Sequence, residues 1–181
     1  EDRTIPCGEH AGKPAWQGIV DYFGKQVLAD DNSLDRKKLS KIVFSDFEKR
    51  KELESFTHPR IHAEFAEQVN DIAKKDPDAI IQAAVPLLIE LNLQYMFHKN
   101  ILVYISQEEQ VERLAKRDSI SKDEAANILK AQLPIDEKKG YVDFIINNEG
   151  SIEETGKQVE ELWKSLKKIQ QEMIADRQGS K

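Results

Sequence analysis

Three short apolar runs do most to limit the fold: "AIIQAAV" at 79–85, "ILVYI" at 101–105 and "FIIN" at 144–147. Each is continuous rather than alternating, and each is rich in β-branched residues. Runs of this kind suit strands buried on both faces of a parallel sheet. Helical patterns lie between the second and third. Ser106 with Glu109 opens one over 107–117, and Ser121 with Glu124 opens another over 122–133. In each pair the serine hydroxyl and the glutamate carboxylate satisfy each other's backbone N–H groups. Ser151 with Glu154 opens a last helix that carries Ile152, Val159, Leu162, Trp163, Leu166 and Ile169 on one stripe; Trp16, Trp163 and the leucine stripes are expected to be core. Strands separated by helices connect by right-handed crossovers, which gives an α/β fold with a parallel sheet. Ligands of such sheets bind beyond the carboxyl ends of the strands. Attention falls on residues 86–90, on Ser106 onward, and on 147–150.

The first part of the chain reads as helical. Pro14 begins a helix with Trp16, Ile19, Val20 and Phe23 at helical spacing, stopped by Gly24. Ser33 or Asp35 caps the next, with Leu39, Ile42 and Val43 on its apolar face. Ser45 and Glu48 form a capping box for a third helix ending near His58, and Pro59 starts a long fourth with Ile61, Phe65, Val69 and Ile72 on one face.

The 181 residues suffice for one α/β domain, or a domain plus a small cap. A net charge of −6 with a third of the residues charged argues against nucleic acid as a partner. Any anionic ligand needs a local basic cluster. Cys7 is the only cysteine, so no internal disulfide forms and a reducing, cytoplasmic setting is expected. No run approaches the ~20 apolar residues of a membrane span. The acidic, polar start is no signal peptide, and without an initiator Met it suggests that something upstream was removed.

"CGEHAGKPAW" at 7–16 mimics a phosphate loop. Its glycine spacing is one residue short, Pro14 stands where a Mg²⁺-binding hydroxyl belongs, and no buried strand precedes it. It reads as a Gly/Pro turn feeding a helix.

Four constellations can carry chemistry. Arg113 and Arg117, four apart just after the second strand, can clamp phosphates with planar forks, or simply pair with Glu109 and its like on a solvated helix. His58, before Pro59, can join helix N-terminal amides around an anion, or be a surface residue beside a cap. Glu90 follows the strand that turns out at Pro86, as a functional or a solvated carboxylate. Asn147 or Asn148 amides can read a base edge, or merely make a turn. No Cys/His cluster supports a zinc site, and no metal ligand is assigned within the chain.

In order, "GKPAW", "LDRKKLSKIVF", "HPRI", "VPLLIE", "QVERLAKRDSISKDEA" and "AQLPIDEKKGYVDFIINNEGS", with the closing amphipathic helix, resemble the dephospho-CoA kinase family over about residues 12–169. That family phosphorylates the ribose 3′-hydroxyl of dephospho-CoA with ATP and Mg²⁺, the last step of coenzyme A biosynthesis. The resemblance implies a P-loop-kinase-like three-layer α/β/α fold with a parallel sheet, a helical CoA-binding insertion and a helical lid. It divides the chain into an N-terminal remnant and turn (1–13), a helical dephospho-CoA-binding part (14–76), core strands (77–106), a lid (107–140), a core strand with the C-terminal helix (141–170) and a tail (171–181). Arg113 and Arg117 become catalytic lid arginines. His58 and Glu90 fall in the substrate-binding part, where Pro86, Leu87 and Leu88 close the nucleoside pocket. Asn148 lies near adenine and Gln132 on the lid side. Ile89 replaces the family's usual aromatic.

The family begins with a strand, a phosphate loop, a helix and a second strand ending in Asp-x-Asp. Counting back from "GKPA" places Asp2 on the second Asp, the proposed base. "CGEHAGKP" then falls on the turn downstream of that motif. The chain reads as a member lacking roughly its first thirty residues, about one strand–loop–helix unit, which is expected to leave it inactive alone. The other readings are a CoA- or nucleotide-binding paralogue without catalysis and a helix-rich interaction domain. Oligomeric state is left open.

Overall fold

The computed structural model describes residues 14–44 and 46–179. The chain forms two compact units, Glu1–Ala79 and Ile80–Lys181.

The first unit is helical. Helix α1 (Pro14–Phe23) ends at Gly24, whose φ of 78° is open to glycine and costly for other residues. A single helical turn (Lys25–Val27) leads to a tight loop, and Leu28 bridges Leu34 across it. Helix α2 (Arg36–Phe44) is capped by Asp35, whose Oδ1 accepts from the N–H groups of Lys37 and Lys38, both at 3.0 Å. Asp35 is thus the cap, not Ser33. Ile19, Phe23, Val27, Leu34 and Leu39 form the core, with Trp16, Leu53 and Phe56 packed against it. Ile19 and Val27 are fully buried, contributing about 1.5–3 kcal/mol each. Gly18 lets α1 approach the Phe56 ring: a Cβ there would lie 2.9 Å from it.

The two helices expected around His58 are one. Helix α3 (Phe47–Lys75) runs through Pro59. A proline inside a helix removes one N–H and costs ~3 kcal/mol. Packing of α3 on α1 and α2 outweighs that, and the Ser55 and Thr57 hydroxyls donate to the Glu52 and Leu53 carbonyls within the turn before the proline. His58 is therefore interior to a helix, and no ring of free N-terminal amides stands beside it. Ser45 lies outside the described residues; Asp46 caps α3, accepting from the Lys49 N–H at 3.1 Å. The stretch 1–13, with Asp2, Cys7 and the Gly/Pro turn, also lies outside them.

The second unit holds the sheet. Strand β1 (Ile101–Tyr104) pairs in parallel with β2 (Phe144–Asn147), Ile101 opposite Phe144 and Tyr104 opposite Asn147. Asp143 fixes that register at the amino ends. Its Oδ1 accepts from Lys99 Nζ at 2.8 Å and its Oδ2 from the Asn100 N–H at 2.7 Å. Lys99, then the Asn100 N–H, hold the Asp143 carboxyl below its ordinary range.

Between the strands run α4 (Gln107–Asp118), α5 (Lys122–Leu129) and the single turn α6 (Ile135–Lys138); α7 (Ile152–Gly179) follows β2 and packs on it. The serine–glutamate pairs start these helices as expected. Ser121 and Glu124 make both bonds of the box, and Ser151 and Glu154 do the same at α7. At α4 the bond from the Glu109 N–H to Ser106 Oγ is present.

Four expectations change. Residues 79–85 form no strand, because a strand requires a neighbouring ladder and no described segment pairs with them. Among the described residues the sheet has two strands, and Val103 and Ile145 are exposed rather than buried on both faces. Trp163 is 48% exposed, with Lys167 Nζ 5.5 Å above its ring, so it is not core. Helix α7 continues to Gly179, through most of the segment read as a tail.

Candidate active site

The two parallel strands deliver their carboxyl ends side by side, and the polar groups there are tied together. The Asn148 N–H donates to the Tyr104 carbonyl at 2.7 Å, extending the ladder by one residue. Glu149 reaches across to β1. Its Oε1 accepts from the Ser106 N–H at 3.0 Å, and its Oε2 from the Asn147 amide at 3.1 Å. The Ser106 N–H and then the Asn147 amide hold the Glu149 carboxyl below its ordinary range. Gln158 of α7 closes the loop from the other side, accepting from the Asn147 N–H and donating to its carbonyl, both at 2.9 Å. Asn148 Oδ1 accepts from the Thr155 hydroxyl at 3.1 Å, which orients the amide with its nitrogen as the donating end.

Helix α4 springs from the same place. Ser106 caps it, and Gln110 Nε2 donates to the Ile105 carbonyl at 3.1 Å. Two turns beyond the cap, Arg113 donates through Nε to Glu109 Oε1 at 2.8 Å and through Nη2 to the Asn148 carbonyl at 3.2 Å. Arg113 thus makes the expected ion pair with Glu109 and also stands at the carboxyl end of β2. The Glu109 pair is exposed and worth only ~0.3–0.5 kcal/mol, little resistance to a phosphate. Arg117 is different. Its fork is taken by the adjacent Asp118, at 2.7 and 2.9 Å, and its side chain is 73% exposed. Helical spacing puts both arginines on α4, yet only Arg113 is seated against the strand ends.

Residues 86–90 form a turn, as Pro86 requires by ending main-chain donation. Pro86 and Leu87 are exposed, Leu88 half-buried and Ile89 buried. Glu90 is not solvated. Its Oε1 meets Lys138 Nζ at 2.7 Å and accepts from the Leu133 N–H at 3.2 Å. Burial pushes its carboxyl up, but Lys138 together with the N–H groups of Glu90 itself and Leu133 leaves it below its ordinary range. Gln132, next to Leu133, is exposed in the turn after α5, its N–H on the Leu129 carbonyl at 3.0 Å. In the first unit, His58 is half-buried and stacks on His62, centroids 6.3 Å apart. Its neighbours Ser55, Phe56, Pro59 and Arg60 line a shallow depression of about 300 Å³.

Four side chains at these places escaped sequence reasoning: Lys138, Glu149, Thr155 and Gln158. Glu149 sat in the flagged loop and its role could have been read there. The others act through partners distant in the chain, which no local pattern marks.

Among the described residues no group of three or more His, Cys, Asp or Glu stands together to hold a metal, and no helix is long and apolar enough to cross a membrane. Helices run between two parallel strands, and an arginine of the first of them is returned onto the loop beyond the second strand, an arrangement that suits an α/β small-molecule kinase.

The comparisons agree. The sequence profile of the dephospho-CoA kinase family matches residues 9–154. A dephospho-CoA kinase of Syntrophus aciditrophicus is 39% identical over 167 residues, covering 92% of this chain and 71% of that protein. One from Geobacter metallireducens is 40% identical over 153 residues, covering 84% and 76%. The solved structure of the dephospho-CoA kinase from Campylobacter jejuni is 31% identical with a TM-score of 0.59, covering 83% and 74%. That of TT1252 from Thermus thermophilus is 25% identical with a TM-score of 0.60, covering 84% and 80%. The chain belongs to the dephospho-CoA kinase family.

Proposed function

We propose that the chain takes part in ATP-dependent phosphorylation of the ribose 3′-hydroxyl of dephospho-CoA. The 3′-oxygen forms a bond to the γ-phosphorus, the bond from that phosphorus to the β,γ-bridging oxygen breaks, and ADP leaves. The hydroxyl proton goes to a base, for which the resemblance offers Asp2, outside the described residues. The observation that carries this reading is Arg113, held on the Asn148 carbonyl where the strands end. A guanidinium there adds charge and a planar fork toward the transferring phosphoryl group.

Asn148, its amide oriented by Thr155, is the donor toward adenine. The turn of Pro86, Leu87 and Leu88 offers apolar surface to the nucleoside of dephospho-CoA, and His58 serves substrate binding. Gln132 and Arg117 act on the lid side, Arg117 only once its fork leaves Asp118. Mg²⁺ would come with ATP and would neutralise phosphate charge; among the described residues no group of three or more His, Cys, Asp or Glu stands together to hold it. A cytoplasmic location fits this reaction. Calorimetry with dephospho-CoA, alongside detection of 3′-phosphorylated product, separates the enzyme from a paralogue that only binds.

A further inference from the structure

The second unit contains an ion pair largely withdrawn from water. Lys138 keeps 10% of its side-chain exposure and Glu90 19%. A lysine so buried needs a partner, and Glu90 Oε1 is that partner at 2.7 Å. The same oxygen also takes the Leu133 N–H, while Oε2 is buried with no hydrogen-bond partner. A buried oxygen without a partner costs stability, and apolar packing of equal volume is often as stable as such a pair. What the pair does supply is a fixed geometry between two segments far apart in the chain.

The next residue supports this. Lys139 Nζ binds Asp136 Oδ1 at 2.7 Å and lies 3.8 Å from the centroid of the Tyr104 ring, and the Tyr104 hydroxyl donates to Asp136 at 3.2 Å. Successive helical residues point about 100° apart, so one short turn can grip two directions. Through Lys139 it is tied to the carboxyl end of β1, and through Lys138 to the turn at 86–90.

We propose that Lys138 is a positioning residue which, by holding Glu90, sets the 86–90 turn in register with the end of β1 and so shapes the surface that dephospho-CoA meets. This rests on the kinase reading above and adds to it a residue that touches no substrate.

The test uses the full chain, its Lys138→Met and Lys138→Arg variants, and calorimetry with dephospho-CoA at a temperature where circular dichroism shows every variant folded. Lys138→Met should weaken binding about tenfold or more, and Lys138→Arg should stay within about threefold of wild type, because the arginine retains the charge and reach to the carboxylate. Carbon-13 titration of the Glu90 carboxyl should show its pKa below the ordinary range in wild type and raised in Lys138→Met. Unchanged affinity in a folded Lys138→Met overturns the proposal. If that variant does not fold, Lys138→Arg decides: near-wild-type affinity supports the proposal, and a tenfold loss in the folded variant overturns it. A wild-type chain that binds no dephospho-CoA overturns the kinase reading and this inference with it, whereas wild-type binding left intact by Lys138→Met overturns the inference alone.

Discussion

Arg113 and Asn148 meet through the main chain of one and the side chain of the other: Nη2 of the arginine donates to the asparagine carbonyl at 3.2 Å. The contact uses only part of the guanidinium's donor set. It also leaves the Asn148 amide to its own partner, the Thr155 hydroxyl. Helix α4 and the loop beyond β2 are thereby held together by a bond that does not consume the groups proposed for phosphate and base.

Replacing Arg113 by alanine should therefore cost turnover rather than folding. Removing one preorganised donor typically lowers kcat by ~10²–10³, or about 2.7–4 kcal/mol. Steady-state kinetics of an active form should show this, with the melting temperature little changed, because the lost Glu109 pair is exposed. Lysine should not restore the rate, since it lacks the planar fork. Near-normal turnover in Arg113→Ala would reduce the residue to its ion pair.

Much of this frame was legible in the sequence. The runs at 101–105 and 144–147 became the two strands, and the serine–glutamate pairs at 106, 121 and 151 started helices, because these signals are local. Arg113 was singled out with Arg117, four apart just after the strand, but spacing alone did not say which of the two reaches the loop beyond β2. Pro59 misled, because propensity marks a helix break there while packing on α1 and α2 overrides it. The run at 79–85 has strand composition, yet a ladder needs a neighbour and composition cannot supply one. Trp163 lies on a clean apolar stripe, but a stripe does not say what covers it. Glu90 stayed open between a functional and a solvated carboxylate, because nothing near it in the chain announces Lys138.

Thr155→Val should loosen the Asn148 amide without touching the phosphates. Loss of one hydrogen bond is worth about 1 kcal/mol, so the KM for ATP should rise about three- to tenfold with kcat nearly unchanged. An unaltered KM would remove Asn148 from the nucleotide site.

Acid should unfold the second unit partly through Asp143. Its folded carboxyl lies below the ordinary ~3.9, held there by Lys99 and the Asn100 N–H. A depressed folded pKa stabilises above the unfolded pKa, and that stability is lost as pH falls through the folded value. Melting curves of wild type and Asp143→Asn should differ most above about pH 5 and converge toward pH 2–3. A gap that stays constant over that range would show that the charge contributes nothing.

His58→Ala should weaken dephospho-CoA binding in calorimetry. His58 lies inside α3, so the effect expected is that of the imidazole alone, without helix-end amides. Unchanged affinity would take His58 out of the substrate site.

The most direct measurement follows ATP and dephospho-CoA by mass spectrometry and phosphorus-31 NMR, looking for a new phosphate on the ribose 3′-oxygen. The 181 residues contain no Gly-x₄-Gly-Lys-Ser/Thr, so the assay uses two samples: the chain alone, and the chain fused behind a strand, phosphate loop and helix of the kind the family resemblance implies. The fused protein is expected to make 3′-phosphorylated product and ADP in equal amounts, and the chain alone none. A folded fusion that forms no product would contradict dephospho-CoA phosphorylation, and turnover by the chain alone would place its phosphate site somewhere other than a phosphate loop.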